Sequence, residues 1–153
     1  MRTRKPAVRK LMWFGVKTVF RVAATGRPVA TDSAFDPQMT LVEERVVLYR
    51  ATSGANAIRA AERDARAYSR DTHRNPYGQR VVWRYLGACE AYEMFEPPGD
   101  GREVFSTTEV VPKTRTDRSV ISQRVKPVES RREYRSRRNI LDQEFAGAVR
   151  RNV

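Results

Sequence analysis

His73 and Cys89 are the chain's only imidazole and only thiol. They are therefore the first residues to test for chemistry. A structural or catalytic zinc site draws on several converging nitrogen and sulfur ligands, and one of each falls short. His73 has Asp71 nearby and no other soft donor within local reach. At the end of a helical pattern, a lone histidine reads as a capping or exposed residue. Cys89 falls on the same side of a strand pattern as Trp83 and Tyr85, so it reads as buried core rather than as a nucleophile. Glu43 and Glu44 are adjacent in a strand, where successive side chains point to opposite faces and cannot share a proton. Asp32 and Asp36 lie in a breaker-rich stretch, where aspartate forms turns. Neither a glycine-rich dinucleotide spacing nor a Walker-type loop is present. A single cysteine also excludes an internal disulfide framework and a cysteine-held cluster. The expectation is a non-enzyme with no catalytic residue, no cofactor and no metal.

Basic charge is the other feature with chemical reach. The 153 residues carry 30 Lys+Arg against 18 Asp+Glu, a formal net charge of +12. Residues 1–10 hold five basic side chains and no acidic one, and residues 113–153 hold twelve basic and five acidic. The intervening residues 11–112 balance at 13 of each sign. The excess therefore belongs to the two ends, as solvated arms rather than a carved groove. Arg131, Arg132, Arg135, Arg137 and Arg138 crowd one segment with Tyr134 among them. Arginines so placed could neutralise phosphates while the ring stacks on a base.

The elements that position these residues follow from periodicity. From Met12 to Val22, Phe14, Val16, Thr18, Phe20 and Val22 alternate with Trp13, Gly15, Lys17, Val19 and Arg21, the signature of a half-buried strand. A long breaker-rich connection over 24–39 precedes a second strand from about Leu41 to Arg50, which groups Val42, Val46 and Leu48 with Glu44 as the exception. Ser53 suits a helix N-cap. Ile58, Ala61, Ala65 and Tyr68 then form one apolar stripe, mostly alanine, fit to lie close on a sheet. The run Asn75-Pro-Tyr-Gly reads as the stop of that helix. Val81 to Phe95 reads as a third strand with Gly87 at a bulge. After the turn signal in Pro97-Pro-Gly-Asp-Gly101, residues 102–111 read as a fourth strand. The order β-β-α-β-β predicts a small antiparallel α+β fold with one packed helix. A basic C-terminal helix is added, with Tyr134, Leu141, Phe145 and Ala148 on one face.

The domain plan that follows is a basic N-terminal extension at 1–11, with Met12 an alternative start. An α+β domain at 12–112 comes next, then a polar basic linker at 113–128 and a basic amphipathic helix at 129–153. No apolar run approaches the roughly 20 residues of a membrane helix, and a cleaved leader is not expected.

Met12-Trp-Phe-Gly-Val-Lys-Thr-Val-Phe, Glu44-Arg-Val-Val-Leu-Tyr-Arg-Ala51 and the helix bearing Ala57, Ala61 and Ala65 resemble the bacterial family called domain of unknown function 4288. Val82-Trp-Arg-Tyr-Leu-Gly87 and Asp100-Gly-Arg-Glu-Val104 continue the likeness, which spans about 12–111 and omits both basic ends. The resemblance implies the small α+β domain and carries over no catalytic residue.

The functional expectation is a cytoplasmic protein that acts by binding another macromolecule, a protein partner or a second copy. Its size and lack of chemistry suit an immunity-type protein. The sheet face opposite the helix is the first candidate surface, through Trp13, Val19, Tyr49 and Tyr92, with Leu141 and Phe145 on the C-terminal helix. The alternative is association with nucleic acid through the terminal arms and the five arginines at 131–138.

Overall fold

The computed structural model describes residues 10–124 and 131–146, without the side chains of residues 88 and 89. Most of the N-terminal extension, the ends of the C-terminal helix and the environment of Cys89 thus lie outside the described residues. The elements are β1 (Met12–Thr25), β2 (Val42–Ala51), α1 (Gly54–Tyr68), β3 (Thr72–Arg74), β4 (Arg80–Glu93), α2 (Asp117–Arg124) and α3 (Arg131–Phe145). The strands form one four-stranded sheet in the order β2-β1-β4-β3. Its pairings are antiparallel. The Val22 N–H bonds the Leu41 carbonyl at one end of β1, the Met94 N–H bonds the Trp13 carbonyl at the other, and Thr72 sits opposite Val82. The α+β class and the β-β-α-β-β order are those expected.

The strands that fill this order differ from the expected ones. Asn75-Pro-Tyr-Gly is not the helix stop. The helix ends at Tyr68, and Asn75 instead organises a β3–β4 hairpin, accepting through its side-chain oxygen from the Tyr77 and Gln79 N–H groups at 3.2 and 2.9 Å. Gly78 closes that turn at φ 79°, a left-handed conformation suited to glycine. Residues 102–111 form no strand. Pro97 and Pro98 lack N–H groups and cannot extend the β4 ladder. The following residues are held by side-chain contacts to the sheet instead. Residues 117–124, read as linker, form α2, with the Thr116 hydroxyl accepting from the Ser119 N–H at 3.3 Å.

The chain packs as two compact units. The first comprises the described residues up to Phe20, Glu43–Arg70 and Arg84–Thr107; the second comprises Arg21–Val42, Asp71–Trp83 and the described residues from Thr108 on. In the first, Phe14 and Val16 of β1 pack with Ala51, Ala57 and Ala61. Alanine at these helix positions lets α1 sit close on the strand. Ser53 caps α1, its hydroxyl accepting from the Asn56 N–H. In the second, Val22, Val81 and Phe145 form the core with Leu41 and Trp83 against them. All five inward residues expected on β1 are buried.

Candidate functional site

Within the first unit, side-chain contacts decide which face each strand residue occupies. On β2 the residues toward α1 are the odd-numbered ones. Tyr68 donates its hydroxyl to Glu43, Tyr49 donates its hydroxyl to Asp64 at 2.8 Å, and the Arg45 guanidinium lies 4.0 Å from the Tyr68 ring centre. Partnering of this kind lets polar and charged residues face a helix. The apolar set Val46 and Leu48 consequently faces away from α1. Sequence alternation had favoured the reverse, since it weighs hydrophobicity and not partners.

The face away from α1 is partly covered by the irregular segment after β4. A Cβ on Gly15 would overlap the Val104 carbonyl oxygen, so the segment rests where β1 has no side chain. Lys17 lies over the Phe105 ring, its ammonium 5.3 Å from the centre, and forms ion pairs with Glu44 and Glu90. Tyr92 donates to Glu103 at 2.6 Å and packs on Phe105. That bond to a carboxylate, with smaller help from desolvation, holds the Tyr92 phenol above its usual value. Beyond this cover, Val46 and Leu86 remain 44% and 43% exposed, with Val19, Leu48 and Trp13 half-buried. Leu86 falls on this side because its neighbour Tyr85 packs on Phe20. The Arg50 guanidinium lies 5.7 Å from the Trp13 ring centre. Apolar Trp13, Val19, Val46, Leu48 and Leu86 thus share this face with charged Lys17, Glu44, Glu90 and Arg50.

The expected interface residues therefore divide. Trp13 and Val19 lie on this surface, Tyr92 lies beneath the covering segment, and Tyr49 is turned to α1. Val46, Leu48 and Leu86 had not been singled out. In the second unit Leu141 is exposed, but Phe145 is 9% exposed and stacked on Trp83 at 5.3 Å between ring centres. His73 is not a helix cap. It stands on β3, bonded through Nε2 to the Glu144 carbonyl at 2.6 Å, its ring 5.0 Å from that of Phe145. Among the described residues no group of three or more His, Cys, Asp or Glu is placed to hold a metal ion.

The five arginines lie along the first half of α3, and every residue from 131 to 139 is exposed. Among the described residues the helix is anchored by its last turns, through Ile140, Gln143, Glu144 and Phe145. Arg138 pairs with Asp142 at 3.8 Å, and Arg137 lies over Tyr134 at 5.8 Å. No described helix is long and apolar enough to cross a membrane.

No curated protein and no solved structure shows significant similarity to the chain. A family profile described as a domain of unknown function, DUF4288, matches residues 13–106. The match takes in β1 through β4 and the segment resting on Gly15, and it stops before α2 and the arginine-rich helix. It covers more than half of the sequence, and the chain is a member of the DUF4288 family.

Proposed function

We propose that this protein is a non-enzymatic interaction domain that binds a protein partner, or a second copy of itself, through the sheet face away from α1. One observation carries the reading. Val46 and Leu86 are exposed on a strand face beside half-buried Val19, Leu48 and Trp13, while a fixed segment already covers the neighbouring part. Exposed apolar side chains grouped on one strand face mark contact surfaces. The long strand β2 also forms an edge of the sheet, open to pairing with another chain. An immunity-type role, in which a small partner is bound and blocked, suits the same surface. Trp13→Ala and Val46→Asp should abolish self-association in sedimentation, or capture of a protein partner, while the thermal unfolding transition persists. Unchanged association in both variants would overturn the proposal.

A second reading rests on a separate observation. The arginine-rich half of α3 is exposed throughout, an arrangement that suits contact with nucleic acid. It expects affinity for duplex or single strands that falls steeply with salt and drops when Arg131, Arg132 and Arg135 become alanine. Insensitivity to both would remove it.

A further inference from the structure

The second unit contains a cleft of about 240 Å³, lined by Val22, Phe35, Asp36, Met39, Gln143 and Glu144 among others. Its charged lining is two carboxylates, with no lysine or arginine, in a chain of net charge +12. Glu144 is the unusual one. It is 4% exposed, and no cation lies within ion-pair distance among the described residues. Its two oxygens accept from the Gln143 side-chain amide at 2.7 Å and the Asn75 side-chain amide at 3.3 Å. Two neutral donors occupy half of a carboxylate's acceptor capacity, and among the described residues no cation offsets its charge.

The surrounding contacts hold this carboxylate in place. The Gln143 side chain accepts from the Asp36 N–H at 2.8 Å and donates to the Asp36 carbonyl at 3.2 Å. Asn75 is itself buried and fixed by the hairpin it organises. His73 grips the Glu144 backbone carbonyl, so the residue is tied at main chain and side chain. Asp36 turns its carboxylate to the Gln38 N–H at 2.9 Å. Phe35, packed edge-on against Tyr77, adds an apolar wall beside Met39. The result is a preorganised acceptor set with apolar flanks and room for a small ligand.

We infer that this cleft binds a small organic cation of the guanidinium or alkylammonium class, its charged head on Glu144 and its alkyl part against Phe35 and Met39. Neither proposed surface uses these residues, so the inference stands or falls apart from them.

Butylguanidinium and butylurea have nearly the same shape and differ in charge, which makes them the deciding pair of probes. Titrated into the full chain and followed by amide NMR shifts, butylguanidinium should saturate a single site. The shifts should centre on Asp36, Thr40, Gln143 and Glu144. Butylurea should bind at least about tenfold more weakly. Glu144→Gln keeps the size and an acceptor oxygen and should weaken butylguanidinium by about tenfold or more. If that variant fails to fold, the two probes on the unaltered protein still decide. A pentapeptide with a central arginine forms a second arm. Binding at least as tight as butylguanidinium assigns the cation to a protein chain, and weaker binding assigns it to a free small molecule. Equal binding of butylurea, or no saturation by butylguanidinium up to about 50 mM, would overturn the inference.

Discussion

Gly15 sits in the middle of β1 because the Val104 carbonyl occupies the volume a side chain would need. Gly15→Ala should therefore destabilise the protein by roughly 1–3 kcal/mol in urea unfolding, as overpacking does. An unchanged midpoint would mean that the segment after β4 does not rest there. Asp32 shows a second residue-level effect. The Tyr77 hydroxyl, at 2.9 Å, and the Ala34 N–H hold its carboxyl below the ordinary range. A carboxyl depressed by folding contributes stability above its ordinary value and loses it as pH falls through the folded one. In an NMR titration Asp32 should ionise below the ordinary aspartate value, and Tyr77→Phe should move it back up. Asp32 and Asp36 were legible as turn formers because their partners, the Ala34 and Gln38 N–H groups, are two residues away. Glu144 was not legible, because Asn75 lies 69 residues from it. A charged residue beside the apolar stripe of a basic helix gives no local sign of burial.

Among the elements, β1 and α1 were read most fully, since strict alternation and a capped alanine stripe leave one packing solution. Ser53→Ala should cost about 1 kcal/mol through the lost cap. The β2 strand was misread by face. Its core side carries Glu43 and Arg45, which are satisfied by Tyr68, a residue on another element. The expected fourth strand and the missed β3 share a cause. Hairpin chemistry at Asn75–Gly78 and at 97–101 looks alike in sequence, and only long-range contacts decide which one returns a strand to the sheet. On α3 the expected stripe caught Phe145, while Tyr134 and Leu141 proved exposed and Ile140 buried. Phe145→Ala should remove the stacking on Trp83 and His73 at a cost of roughly 3 kcal/mol. Amides of α3 should then exchange faster, while those of Phe14–Phe20 keep their protection. Uniform loss of protection, or none, would contradict the anchoring.

For the whole molecule, the charge split narrows where function is to be sought. The family match ends at residue 106, before the arginine-rich helix begins. The matched portion is β1 through β4 and their coverings, where basic and acidic residues nearly balance. The exposed face with Val46 and Leu86 belongs to that portion, and the basic helix lies outside it. The most direct test places a photo-crosslinking residue at Val46, at Tyr134 and at Arg63, an exposed position on α1, in the native cell. Discrete protein adducts should form at Val46 well above those at Arg63. Equal yields at Val46 and Arg63, or adducts confined to nucleic acid at Tyr134, would contradict the proposed interface.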